Sequence, residues 1–158
     1  MILIALGSNL PGLHKSPEDN LSGALSVMAA YGIRVVSFSK TLITKPVPAS
    51  DQPDYRNAVA HVETALSPEG LLSALLEIER RFGREREAAN RNAARTLDLD
   101  ILAYNDAVLS TDILDLPHPR LHERLFVLEP LCEIAPDWRH PVWGKTAAEL
   151  LLEAKSGN

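Results

Sequence analysis

Apolar positions along the chain fall into short runs that switch between two periods. Ile2-Leu3-Ile4-Ala5-Leu6 is a continuous apolar run of strand length, closed by the turn-forming group Gly7-Ser8-Asn9. Ser16-Pro17-Glu18-Asp19 then opens a helix, with Ser at the N-cap, Pro at the first helical position and acids in the first turn. Leu21, Leu25 and Met28 follow at helical spacing, and Gly32 is the stop. Residues 33–44, rich in Val, Ile, Ser and Thr, read as a strand. Lys45-Pro46-Val47-Pro48 breaks it, because two prolines remove ladder donors. Asp51-Gln52-Pro53-Asp54 reads as loop and Tyr55–Thr64 as a further strand.

The second half repeats the scheme. Ser67-Pro68-Glu69 starts a helix whose stripe is Leu71, Leu75, Ile78 and Phe82, with Gly83 as its stop. Residues 84–95 carry no apolar period and read as a connector of unusual length, the kind that usually carries function. A strand over 96–104 ends at the turn signal Asn105-Asp106, and Val108-Leu109 with Ile113-Leu114 suggest a small hairpin. A stiff loop, Pro117-His118-Pro119-Arg120, precedes a helix around 122–133. Thr146 and Glu149 have capping-box spacing before a last helix over 147–154. Two β-α-β units in succession, both helices opening on Ser-Pro-Glu, predict an α+β fold. Its core is a ferredoxin-like βαββαβ arrangement, an antiparallel sheet with helices packed on one face, plus a C-terminal hairpin and helices.

Composition narrows the partners. The length of 158 residues suits one domain over 1–158 with a real core. A net charge of −5 argues against nucleic acid. The lone Cys132 allows neither an intrachain disulfide nor a zinc site, which fits a reducing compartment. The apolar start lacks the basic flank of a signal peptide, and no run has the length of a membrane span. These features point to a cytoplasmic protein away from membranes, and a monomer is the expectation.

Candidate chemistry concentrates in one stretch, Arg95-Thr96-Leu97-Asp98-Leu99-Asp100-Ile101. Alternation of Leu97, Leu99 and Ile101 with Asp98 and Asp100 puts both carboxylates on one face of a strand. Carboxylates so spaced can hold a divalent cation, or a pair of them. The spacing alone also fits an amphipathic strand with solvated acids, although Asp is depleted in strands. Just upstream, Arg80, Arg81, Arg84, Arg86, Arg91 and Arg95 make up more than half of the arginines. Arginine is the residue of choice for gripping phosphate, although a solvated helix end neutralised by Glu85 and Glu87 would look the same. No Walker loop, dinucleotide fingerprint, kinase signature or nucleophile elbow is present.

Six separated segments, in order, carry a more specific signal. They are Ala5-Leu6-Gly7-Ser8-Asn9-Leu10, Asp51-Gln52-Pro53-Asp54-Tyr55-Arg56-Asn57-Ala58, Ile78-Glu79-Arg80-Arg81-Phe82-Gly83-Arg84, the Arg95–Ile101 stretch, Pro117-His118-Pro119-Arg120-Leu121-His122-Glu123-Arg124, and Pro130-Leu131-Cys132-Glu133-Ile134-Ala135-Pro136. Together the chain resembles the 6-hydroxymethyl-7,8-dihydropterin pyrophosphokinase family of folate biosynthesis, whose fold is ferredoxin-like. The resemblance implies transfer of a pyrophosphoryl group from ATP to the pterin hydroxymethyl arm, releasing AMP. It implies that Asp98 and Asp100 hold two magnesium ions and that Arg84 and Arg95 grip phosphates. Glu79, Ile101, His118 and Arg124 match positions near the nucleotide. Tyr55 and Phe126 match the aromatics that sandwich the pterin. Asn57 and the backbone of Thr44 and Val47 match its edge-reading groups. The chain departs from the commoner pattern at Asn92-Ala93-Ala94, where many members carry Trp-Gly-Pro, at Pro119, where some have tyrosine, and at Lys45, where some have proline. Two other readings fit the same acids: a two-metal phosphotransferase with another flat acceptor, and a ferredoxin-like ligand-sensing domain without catalysis.

Overall fold

The computed structural model describes residues 1–9, 16–45, 51, 53–83 and 96–157. Seven strands and four α-helices appear among them. They run β1 (Ile2–Ser8), α1 (Pro17–Val27), β2 (Ile33–Phe38), β3 (Leu42–Thr44), β4 (Tyr55–Thr64), α2 (Pro68–Arg81), β5 (Asp98–Tyr104), β6 (Leu109–Ser110), β7 (Asp115–Leu116), α3 (Leu125–Ile134) and α4 (Ala147–Ser156). The main sheet has the order β2-β4-β1-β5, with β3 also on β4, and its described pairs are antiparallel. This is the ferredoxin-like arrangement expected from the element order.

The helix starts follow from local chemistry. Ser16 Oγ accepts from Asp19 N at 3.1 Å, Ser67 Oγ accepts from Gly70 N at 3.0 Å, and Thr146 with Glu149 forms a complete capping box. After α1 a 3-10 turn over Met28–Tyr31 ends at Gly32, whose φ of +79° needs glycine.

The sheet is covered on both faces, not on one. Ile4, Leu6, Ala60, Val62, Leu99 and Ile101 pack against Leu21 and Met28 before β2 and against Leu71, Leu75 and Ile78 of α2. Leu3, Val59, Leu102 and Ala103 pack on the opposite side against Val127, Leu128 and Leu131 of α3 and Leu150 of α4. The two C-terminal helices therefore close a second core.

Three boundaries differ from expectation, each for a visible reason. Gly7 and Ser8 belong to β1, because Gly7 is paired on both sides, with Asn57 of β4 and Asp98 of β5. The strand over 33–44 splits in two at Ser39, whose N donates to Val59 O and whose Oγ accepts from Val59 N, both at 2.9 Å. A side chain there replaces a step of the ladder. The hairpin is shifted: Leu109 pairs with Leu116, and Thr111 N donates to Leu114 O at the turn. Among the described residues no helix is long and apolar enough to cross a membrane.

Candidate active site

The cavity-facing side of β1 steps down in size, from Leu3 to Ala5 to Gly7. A wedge opens where the side chains run out. It is a cavity of about 220 Å³, floored by Ala5 and Gly7 and walled by strands β3, β4 and β5, the 118–121 loop and the first turn of α3. Gly7 matters as a gap. A Cβ there would lie 3.2 Å from Asn57 Oδ1 and 4.0 Å from Asp98 Cβ. Asn57, Gly7 and Asp98 are thus neighbours in one row across three strands.

One wall is suited to a flat heterocycle. Tyr55, Asn57, Thr44 and Phe126 all line the cavity. Asn57 is 9% exposed, and its Nδ2 donates to Thr44 Oγ1 at 2.8 Å, which fixes the amide plane. Arg124 sits over the Phe126 ring, with Cζ 5.5 Å from the centroid.

The other wall is charged. Asp98 and Asp100 both line the cavity, while Leu97, Leu99 and Ile101 are buried in the core behind them. The strand alternation placed them correctly. A β-bulge in β5 then changes the phase: Ile4 faces Ile101, but Leu3 faces Ala103. Leu102 is the extra residue, and its carbonyl accepts from His118 N at 2.9 Å. That bond draws His118 to the rim. Arg120 N in turn donates to His118 Nδ1 at 3.1 Å, so the neutral ring carries its proton on Nε2. Burial, helped by the positive charge of Arg124, lowers the His118 pKa to about 4. His118 is therefore a neutral donor at physiological pH. Lys45, Arg120 and Arg124 add three cations against the two carboxylates, and the first turn of α3 faces the same space. Cations and a helix N-terminus together favour a polyanion.

Seven of the residues singled out from the sequence thus converge on one cavity: Thr44, Tyr55, Asn57, Asp98, Asp100, His118 and Phe126, with Arg124 as an eighth. Two others do not line it. Ile101 is 3% exposed, with its side chain in the core between the sheet and α2. Glu79 is 2% exposed, and its Oε2 accepts from Leu99 N at 2.7 Å, between the two aspartates. Val47, Arg84 and Arg95 lie outside the described residues. The floor residues Ala5 and Gly7 and the cations Lys45 and Arg120 carried no assigned role in the sequence. The falling side-chain size at Leu3, Ala5 and Gly7 was the available signal.

The chain is similar to known proteins over most of its length. A family profile described as 7,8-dihydro-6-hydroxymethylpterin-pyrophosphokinase (HPPK) matches residues 3–136. A Synechocystis protein named 2-amino-4-hydroxy-6-hydroxymethyldihydropteridine pyrophosphokinase is 42% identical over 151 residues, covering 94% of this chain and 73% of that protein. Proteins of the same name from Haemophilus influenzae and Methylorubrum extorquens are 44% and 42% identical, with 81% and 90% of their lengths covered. Among solved structures, the Plasmodium falciparum HPPK-DHPS crystallised with pteroate superposes with a TM-score of 0.77 at 14% identity. It matches 98% of this chain, which spans 44% of that longer protein. By the sequence matches, this chain belongs to the 7,8-dihydro-6-hydroxymethylpterin-pyrophosphokinase family.

Proposed function

We infer that the chain transfers the terminal diphosphate of ATP to 6-hydroxymethyl-7,8-dihydropterin, giving AMP and the pterin diphosphate, as a step of folate biosynthesis. The observation that carries this reading is one cavity among the described residues. It joins an aromatic and amide wall to an acid pair and three cations.

The pterin ring stacks on Tyr55 and Phe126, and Asn57 reads its edge. Thr44 holds the Asn57 amide in place, and the backbone at Thr44 and Val47 completes the edge. The hydroxymethyl oxygen then points past Gly7 toward Asp98. Its attack on the β-phosphorus forms one oxygen–phosphorus bond and breaks the bond to the bridging oxygen, which leaves with AMP. The hydroxyl proton needs an acceptor. Among the described residues lining the cavity, only Asp98 and Asp100 are anionic.

The donor set fits magnesium. Among the described residues lining the cavity it consists of two carboxylates, Asp98 and Asp100. Magnesium commonly takes one or two carboxylates and fills its remaining positions with phosphate oxygens and water. Asp98 and Asp100 would hold two such ions, which would supply charge neutralisation for the displacement. Arg124 and the neutral Nε2–H of His118 donate to phosphate oxygens, with Arg84 and Arg95 as further phosphate ligands. Glu79, by accepting from Leu99 N, and Ile101, packed in the core, support β5 behind the acid pair.

A ligand-sensing domain without catalysis is not favoured by the family membership. The test is incubation with ATP, Mg2+ and 6-hydroxymethyl-7,8-dihydropterin, with products separated by chromatography. AMP and the pterin diphosphate are expected. ADP as the nucleotide product, or no turnover, would overturn the reading.

A further inference from the structure

One polar side chain in the core has no role in the account above. Asn20 lies on the buried face of α1 beside Leu21 and Ala24 and is fully buried. An amide in an apolar layer persists only when it is hydrogen-bonded. Asn20 Nδ2 lies 2.9 Å from the Thr96 carbonyl oxygen and 3.2 Å from Ser8 Oγ. Ser8, also fully buried at the end of β1, donates its own hydroxyl to the same Thr96 oxygen. Two donors from two elements thus converge on a single carbonyl, two residues before Asp98. The far side of Asp98 is held as well, because Glu79 of α2 accepts from Leu99 N at 2.7 Å. Leu97 between them is fully buried.

We propose that Asn20, acting with Ser8, is a positioning residue for the acid pair: their shared grip on the Thr96 carbonyl sets where Asp98 is presented to the cavity. The inference rests on the proposed phosphotransfer. The bracing comes from the face of the sheet opposite the cavity, so neither residue touches substrate. The pterin wall stands apart from this clamp, on β3, β4 and α3.

The test uses Asn20→Leu, which removes the donors at similar volume, and Ser8→Ala, which removes one donor and disturbs packing less. Melting temperature, kcat, both KM values and the half-saturating Mg2+ concentration are measured. Mg2+-dependent binding of a non-hydrolysable ATP analogue is measured by calorimetry. In Asn20→Leu, kcat falls and the Mg2+ requirement rises by about tenfold, as for other residues that orient metal ligands. The pterin KM stays near the wild-type value. Ser8→Ala shows the same pattern with smaller size, and it decides the matter if Asn20→Leu does not fold. A lower melting temperature with kcat and Mg2+ dependence unchanged would reduce both residues to fold stability and overturn the proposal. Failure of the phosphotransfer reading would be visible separately, as absence of AMP with the unaltered protein. Mg2+-dependent nucleotide binding would then decide on Asn20 alone: weakened in the variant supports the clamp, unchanged refutes it.

Discussion

Replacing Asn57 by alanine tests the division of the cavity into a ring-reading wall and a phosphate wall. Asn57 is buried, its Nδ2 is tied to Thr44 Oγ1 at 2.8 Å, and its Oδ1 faces the gap at Gly7. Asn57→Ala removes a donor and an acceptor from the edge of the bound ring and leaves the Thr44 hydroxyl without its donor. A buried group deprived of its partner costs about 1–3 kcal/mol, and linked losses do not simply add. A net loss of about 2–3 kcal/mol in pterin binding corresponds to about 30- to 150-fold in Kd. Asp98 stands two strands away across Gly7, about 10 Å from backbone to backbone at the usual strand spacing. Nucleotide affinity should therefore change by no more than about twofold. Calorimetric titration of the pterin in the presence of Mg2+ and a non-hydrolysable ATP analogue, and of the analogue alone, separates the two effects. Thr44→Val is the graded control: it keeps the amide but frees it to rotate, costing about 1 kcal/mol, or about fivefold. Equal losses for pterin and nucleotide, or no loss in Asn57→Ala, would refute the assignment.

Further expectations follow from the same geometry. Asp98→Ala and Asp100→Ala each lower turnover by about a thousandfold, several kcal/mol of transition-state stabilisation, while circular dichroism shows the fold retained; substantial activity in both variants would remove the metal assignment. Gly7→Ala places a methyl 3.2 Å from Asn57 Oδ1 and weakens pterin binding by about 1–2 kcal/mol, with nucleotide binding kept; unchanged pterin affinity would show that the gap is not part of the ring site. His118 makes stability depend on acid. Its folded pKa of about 4 lies below the ordinary 6.5, so the unfolded chain binds the proton first as pH falls. Below pH 6.5 the folded state therefore loses stability, by about 2 kcal/mol from this residue between pH 7 and pH 5. Urea denaturation of the wild type and of His118→Gln at both pH values checks this, since the variant should lack that part of the loss.

The fold was legible wherever a local signal was sufficient. Ser16, Ser67 and Thr146 announce their helices by capping, and each caps as its neighbours require. The alternation through Leu97, Asp98, Leu99, Asp100 and Ile101 assigns the acids to one face before any tertiary contact is known. What stayed hidden depends on contacts between distant segments. The bulge at Leu102 exists because β1 and β5 change register, and nothing local in the sequence marks it. The break at Ser39 comes from its bonds to Val59, twenty residues away. Glu79 and Ile101 were grouped with the nucleotide by resemblance, yet their side chains face the interior. A helix stripe read for leucines passes over Asn20, whose burial makes sense only once Thr96 is beside it. The arginine-rich stretch was conspicuous in the sequence, but Arg84 and Arg95 lie outside the described residues.

The central claim is that one cavity holds the ring and the reacting phosphates together. Its most direct test is a crystal structure of the chain with Mg2+, a non-hydrolysable ATP analogue and 6-hydroxymethyl-7,8-dihydropterin. The account predicts the pterin between Tyr55 and Phe126 with its edge on Asn57, and metal-bound phosphates on Asp98 and Asp100, the hydroxymethyl oxygen facing the β-phosphorus. A ring bound away from those two aromatics, or aspartates with neither metal nor phosphate against them, would contradict it.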